Sequence, residues 1–167
     1  DRVATSPSAS AELVRDALDL VADGRSDRLG RLLAPFGVRY IVLLRSSAPA
    51  RANGVNATLP RGLEEMITRQ LDLHRVQVDP AIDVFESAAW MPVRAVLHGG
   101  AAEALSSTTL FSTAATTDFT DAEPATGSIG PGVVHFATPY SSRWHLDGAT
   151  HTKSLGWANG YELEHAT

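Results

Sequence analysis

The chain has no cysteine among its 167 residues. This absence excludes disulfides, thiolate zinc ligands and nucleophilic cysteines together, and it leaves the redox compartment open. A chain of this length buries roughly 68–70% of the surface that its unfolded form exposes, so a single domain needs no covalent cross-link. We therefore expect one domain held by an ordinary hydrophobic core.

Positive charge is also scarce. Fourteen basic residues face nineteen acidic ones, the net charge is −5, and Lys153 is the only lysine. The arginines are scattered along the chain and form no basic patch, which argues against a nucleic-acid or anionic-lipid footprint. We expect no nucleic-acid partner.

Long hydrophobic runs are missing too. No stretch approaches the 18 or so apolar residues of a membrane helix, and no basic, apolar and small-residue series marks a signal peptide. The chain begins with Asp1, and its only methionines are Met66 and Met91. We expect a piece of a longer protein, with any membrane spans outside these residues.

The common catalytic motifs are absent. The sequence contains no Gly-x-x-x-x-Gly-Lys-Ser/Thr, no Gly-x-Gly-x-x-Gly after a strand, no Gly-x-Ser-x-Gly, no His-Glu-x-x-His and no Asp-x-Asp. We expect no catalytic residue and no cofactor, although the question whether the chain is an enzyme stays open at this stage.

Histidines offer a zinc alternative. His135, His145 and His151 fall on three successive predicted strands, and imidazoles from adjacent strands can bind zinc. The spacing is loose, so single hydrogen-bonded or exposed histidines are the favoured interpretation, and we expect no metal site. Glu162 and Glu164 share one face of a strand, most simply the solvated one.

Helical periodicity dominates the first half. Residues 1–9 are rich in Ser and Ala and predict a disordered tail. Apolar residues recur at helical spacing over residues 11–22, and a second helix is predicted to end near Phe36. Residues 38–44 predict a buried strand, which places Phe36, Tyr40 and Ile41 in the core.

The second half predicts strands. Residues 106–132 are rich in Ser, Thr, Ala, Gly and Pro and predict a long loop. From Val133 onward, short β-favouring runs are separated by Asp147-Gly148 and Asn159-Gly160, which suit tight turns. We predict that residues 10–167 form a single α/β domain, in which N-terminal helices pack on a mixed sheet and a C-terminal antiparallel β-meander follows.

Aromatic residues are concentrated in the predicted meander. Aromatic rings stack on flat partners such as sugars, and nearby polar groups can bind hydroxyls. The opposing interpretation is that the tryptophans are buried in the core, as strand tryptophans are on average. The candidate glycan-binding residues are Tyr140, Trp144, Asp147, Trp157 and Asn159.

Three separated blocks of sequence resemble a known family. Residues 32–42, residues 85–94, and the closing residues 140–148 with 155–159 resemble the extracytoplasmic C-terminal domain of large actinobacterial membrane proteins that are similar to family 2 glycosyltransferases. The resemblance implies a membrane-bound parent that transfers sugar during cell-envelope polysaccharide synthesis. It implies that this chain lies at the extracytoplasmic face of the cell membrane and is itself non-catalytic, because no transferase residue of the family has a counterpart here.

Three functions therefore remain open. The first is a non-catalytic accessory domain that binds a cell-envelope glycan or a neighbouring membrane protein. The second is a free-standing carbohydrate-active enzyme that uses the long loop as a lid. The third is a purely structural interaction module.

Overall fold

The computed structural model describes residues 8–45, 59–98, 110–117, 119 and 122–164. An N-terminal helix precedes two antiparallel sheets, one of three strands and one of five. The helices are α1 (Ala9–Ala22), α2 (Leu29–Leu33), α3 (Leu63–Thr68) and α4 (Leu110–Thr116), with a 3₁₀ turn at Ala34–Phe36. The strands are β1 (Tyr40–Leu44), β2 (Leu73–Val78), β3 (Ile82–Ser87), β4 (Arg94–Leu97), β5 (Glu123–Pro124), β6 (Gly132–Pro139), β7 (Thr150–Ser154) and β8 (Ala158–Leu163).

The first predicted helix is present as α1. It begins at Ala9, earlier than expected, because Ser8 is the N-cap, and the Ser8 hydroxyl accepts the N–H of Ala11 at 3.3 Å. Two residues of the predicted tail thus belong to the cap and first turn, while residues 1–7 lie outside the described part of the chain. Ala17 and Val21 form the buried face of the helix.

Helix α2 receives its cap from a distant segment. The N-cap residue Arg28 makes no side-chain hydrogen bond to the start of the helix. Two buried polar side chains just before β2, Gln70 and Asp72, cap the helix instead. The Asp72 carboxylate accepts the N–H groups of Gly30 at 3.1 Å and Arg31 at 2.7 Å, and Gln70 accepts that of Leu29 at 3.0 Å. These contacts satisfy amide donors that a helix N-terminus leaves free, and so tie α2 to the three-stranded sheet.

The predicted buried strand lies at a sheet edge. The three-stranded sheet has the order β1-β3-β2, so β3 is central and β1 pairs on one side only. Tyr40, Val42 and Leu44 are exposed on its outer face, while Leu43 is buried on the inner face. The prediction failed because a run of apolar residues does not say whether one or both faces of a strand are covered.

The predicted core at this junction is only partly correct. Phe36 and Ile41 are half-buried and pack against the core. Tyr40 is exposed and its hydroxyl faces Glu86, so its placement in the core was wrong. The reason is strand alternation, which sends neighbouring side chains to opposite faces.

The prediction of a mixed sheet was also wrong. Every strand pair is antiparallel. Parallel neighbours require a crossover of a dozen or more residues, whereas β2 joins β3 and β7 joins β8 through short turns.

The C-terminal strands are not a simple meander. The five-stranded sheet has the order β5-β4-β6-β8-β7, so β8 lies between β6 and β7. Residues 140–149 carry the chain from β6 past the position of β8 to the edge strand β7. Only β7 and β8 form the expected consecutive hairpin.

The predicted long loop contains regular structure. Within residues 106–132, the described part includes α4 and the short strand β5. Ala114 and Phe119 are fully buried in the main core. Helix α4 was not predicted because its sequence is rich in small and hydroxyl side chains, a composition that is typical of loops. Only a few apolar contacts anchor it in the core.

The main core lies between the helices and the inner faces of the sheets. A second, smaller cluster forms on the outer face of the five-stranded sheet and comprises the buried residues Val96, Val134, Tyr161 and Leu163. In the described ranges, no helix combines the length and apolar character needed to cross a membrane.

Candidate functional site

The outer face of the five-stranded sheet carries a group of rings. We call the rings of Phe136, Tyr140, Trp144, His151 and Tyr161 the aromatic surface. Strand pairing explains their common direction, because His151 lies directly opposite Tyr161, and Phe136 lies opposite Asn159. Paired residues point to the same face of a sheet.

Three rings form a continuous stack. The rings of Tyr140 and His151 are 4.9 Å apart, those of His151 and Tyr161 are 4.8 Å apart, and both pairs are within 20° of parallel. Tyr161 is buried at the base, and Tyr140 at the top is 39% exposed. Lys153 Nζ lies 5.2 Å from the centre of the Tyr140 ring, within cation–π distance.

Trp144 is the most exposed ring of this surface. Half of it is open to solvent, and it stands edge-on to Phe136 with ring centres 5.6 Å apart. A backbone turn, with the Trp144 N–H donating to Ser141 O at 3.0 Å, holds its position. Asp147 is exposed further along the same connection. It precedes Gly148, which adopts the positive φ of 77° that the predicted turn requires.

Asn159 supports this surface from below. The Asn159 side chain is fully buried, and its Nδ2 donates to Thr138 Oγ1 at 2.9 Å and to Pro139 O at 3.1 Å. Its Oδ1 accepts the Ser141 N–H at 3.1 Å and His151 Nε2–H at 3.0 Å. The prediction that Asn159 orients a sugar hydroxyl does not fit, because these contacts use both ends of the amide.

Trp157 lies in the interior. Only 5% of it is exposed, and its ring stacks on Phe36 with centres 4.7 Å apart. Its Nε1 is buried, and the described residues supply no hydrogen-bond acceptor for it. The structure therefore gives Trp157 the core role that the sequence left as an alternative, and it offers no platform to a glycan.

His135 and Ser154 form a sealed pair on the inner face. His135 Nε2 donates to Pro35 O at 2.8 Å, so in the neutral ring Nδ1 accepts the Ser154 hydroxyl at 2.8 Å. Burial lowers the pKa of His135 from 6.5 to about 4. Both side chains are inaccessible, so this serine and base cannot meet a substrate and instead tie β6 to β7 and to the 3₁₀ turn.

The three histidines of the zinc alternative are not brought together. His135 is on the inner face, His151 is on the outer face, and His145 lies on the exposed connection before β7 rather than on a strand. No group of three or more metal-binding side chains occurs within the described ranges.

The described residues include two surface clefts, of which the larger has a volume of about 860 Å³ and lies between the end of α1 and the start of α3. Its rim mixes charges of both signs, including Asp19, Arg61 and Glu65, and the arrangement pairs no nucleophile with a base. The smaller cleft, of about 370 Å³, is apolar and lies beside Phe36 and Trp157.

The sequence analysis missed four members of the site. Phe136, His151, Tyr161 and Lys153 were not among the candidate glycan-binding residues, although period-two alternation along β6, β7 and β8 places them on one face. That alternation was the available signal. No protein-family model, curated protein sequence or solved structure matches this chain significantly.

Proposed function

We propose that this chain is a non-catalytic carbohydrate-binding domain, and that the aromatic surface takes the sugar. One observation carries the proposal: Trp144 and Tyr140 are substantially exposed while each rests on another ring. Exposed large rings held in fixed positions give a flat partner contact area at little cost in side-chain entropy. Sugar rings present such flat apolar faces.

The resemblance of the sequence supplies the wider context of the proposal. It suggests an accessory extracytoplasmic domain of a membrane-bound glycosyltransferase of cell-envelope polysaccharide synthesis. In that setting the transfer reaction belongs to another part of the parent protein. The surface described above would hold a cell-envelope glycan, and a neighbouring membrane protein is the alternative partner.

The alternative of a free-standing enzyme has less support from the described residues. Glycoside hydrolysis needs two carboxyl groups about 5–10 Å apart on either side of the bond. Residues 140–154, which include the exposed rings Tyr140 and Trp144, contain one carboxylate, Asp147. Within the described ranges, the serine and histidine in hydrogen-bond contact, Ser154 and His135, are sealed in the interior. Binding without turnover is therefore the simpler function of this surface.

Calorimetric titration with cell-envelope oligosaccharides tests the proposal. Trp144→Ala and Tyr140→Ala should weaken binding about fivefold or more, since base stacking on a comparable ring is worth about 1–3 kcal/mol. Trp90→Ala is the matched control, because Trp90 is half-buried beyond β3 and lies under Arg39. If no oligosaccharide binds, or if Trp90→Ala weakens binding as much as Trp144→Ala, the proposal is wrong.

A further inference from the structure

The aromatic surface carries fixed positive charge that no carboxylate in the described ranges neutralises. Lys153 and Arg143 are both exposed, and neither takes part in an ion pair among these residues. The three-stranded sheet differs, because the arginines on and beside its strands contact carboxylates; these arginines are Arg39, Arg45 and Arg75.

Lys153 is also held in place. It is the only lysine in the chain, its strand position lies directly opposite Asn159, and its ammonium rests near the Tyr140 ring. The ring attracts the cation without neutralising it, so Nζ keeps its donors available to an acceptor. A bound group near Tyr140 would therefore meet a positive charge.

The local charge is opposite in sign to that of the whole chain. Residues 140–154 contain the cations Arg143 and Lys153 and one carboxylate, Asp147, whereas the chain as a whole has a net charge of −5. A surface with the reverse sign on an acidic protein attracts anions to that place and repels them elsewhere. The rings alone do not distinguish anionic from neutral ligands, whereas this charge distribution favours anionic ones.

We infer that the carbohydrate bound on the aromatic surface is anionic and carries a carboxylate or a phosphate beside Lys153. This inference rests on the proposed function, because it names the class of sugar that the same surface takes. The rings supply contact with the sugar faces, and Lys153 supplies a charge-assisted hydrogen bond to the acidic group. Arg143, on the connection beside Trp144 in sequence, is a second exposed cation.

Matched pairs of oligosaccharides test the inference. The probes are tetragalacturonate with its carboxyl-reduced galactose counterpart, and a singly phosphorylated maltotetraose with plain maltotetraose, titrated at about 0.15 M salt. An exposed ion pair changes affinity by up to about fivefold. We expect at least one acidic probe to bind about threefold to fivefold more tightly than its neutral partner, with a smaller difference at high salt.

Three variants locate the effect. Lys153→Met should remove the preference for the acidic probe, and Lys153→Arg should keep it. Arg61→Met removes one exposed cation near α3 and should alter neither affinity. The larger response, to uronate or to phosphate, identifies the acidic group.

The outcomes separate the two proposals. If neutral probes bind as tightly as acidic ones, or if Lys153→Met keeps the preference, the inference is overturned while the carbohydrate-binding function stands. If no probe of either kind binds, both are overturned.

Discussion

The indole ring of Trp157 and the phenyl ring of Phe36 stack at a centre-to-centre distance of 4.7 Å, with only 17° between their planes. This contact joins the 3₁₀ turn after α2 to the turn between β7 and β8. It commits Trp157 to the core, whereas Trp144 remains on the outer face of the same sheet. The two tryptophans therefore have different consequences when they are removed.

Trp157→Ala should lower the free energy of unfolding by about 3–5 kcal/mol, because it empties a buried ring site. Trp144→Ala should cost less than about 1 kcal/mol, because half of that ring already faces solvent. Urea denaturation followed by circular dichroism measures both. Equal losses for the two variants would show that the assignment of inner and outer faces is wrong.

The sequence predicted the local elements better than their arrangement. Helix α1 follows from apolar spacing, and the turn at Gly148 follows from its Asp-Gly pair, because both depend on neighbours along the chain. Strand order depends on contacts between distant segments, so the position of β8 between β6 and β7 was not readable. The edge position of β1 was hidden for the same reason.

The candidate site was predicted in part. Tyr140, Trp144 and Asp147 are exposed, as a binding surface requires, and Trp157 and Asn159 are buried. Trp157 and Asn159 are only two residues apart, yet they lie on opposite sides of the sheet. Trp157 packs in the main core, whereas Asn159 lies beneath the outer face opposite Phe136, because Trp157 is in a turn before β8 begins. Alternation applies within a strand and fails in the turn beside it.

Adjacent leucines of β1 provide a test of the sheet edge. Leu43 is 6% exposed and Leu44 is 56% exposed. Leu43→Ala should therefore cost about 2–5 kcal/mol of unfolding free energy, and Leu44→Ala less than about 1 kcal/mol. Chemical denaturation of the two variants checks the difference. A larger loss for Leu44→Ala than for Leu43→Ala would mean that the inner and outer faces of β1 are exchanged.

His135 predicts a stability change in acid. Its pKa is lowered from 6.5 to about 4, so between these values the unfolded chain binds a proton that the folded chain does not. The free energy of unfolding should therefore fall as the pH falls through this window, by about 3 kcal/mol in total from this residue. Below a pH of about 4, the contribution of His135 to the free energy of unfolding should not change further.

Unfolding measured at a series of pH values tests this expectation. His135→Gln removes the titrating ring and should flatten the slope, whereas His145→Gln, on the exposed connection, should retain it. Direct titration of the His135 ring by nuclear magnetic resonance provides a second readout if His135→Gln does not fold. A His135 ring that becomes protonated near neutral pH would contradict the sealed pair with Ser154.

The distant cap on α2 predicts a cost for changing Asp72. In the wild-type chain, each of the two Asp72 carboxylate oxygens accepts one amide N–H of α2. Asp72→Asn keeps only one of these acceptor oxygens, so the free energy of unfolding should fall by about 1–3 kcal/mol. Asp16→Asn, on the exposed face of α1, should change it by less than about 0.5 kcal/mol. Thermal and urea denaturation measure both variants.

Gly30→Ala should act on the same contact. A methyl group at Gly30 would lie 2.5 Å from Ser87 Oγ and 2.9 Å from Asp72 Cγ, so both side chains must move. Because the two changes disturb one contact, the double variant should lose less stability than the sum of the single losses. Fully additive losses would mean that Asp72 does not hold the start of α2.

Chemical-shift mapping tests the central claim most directly. The chain labelled with nitrogen-15 is titrated with the paired acidic and neutral oligosaccharides, and the indole N–H signals of its three tryptophans are followed. Binding on the aromatic surface predicts that the Trp144 signal and the amides of residues 140–153 shift in a saturable manner, while the signals of Trp90 and Trp157 stay in place. No shift with any oligosaccharide, or shifts confined to residues outside the outer face of the five-stranded sheet, would contradict the account.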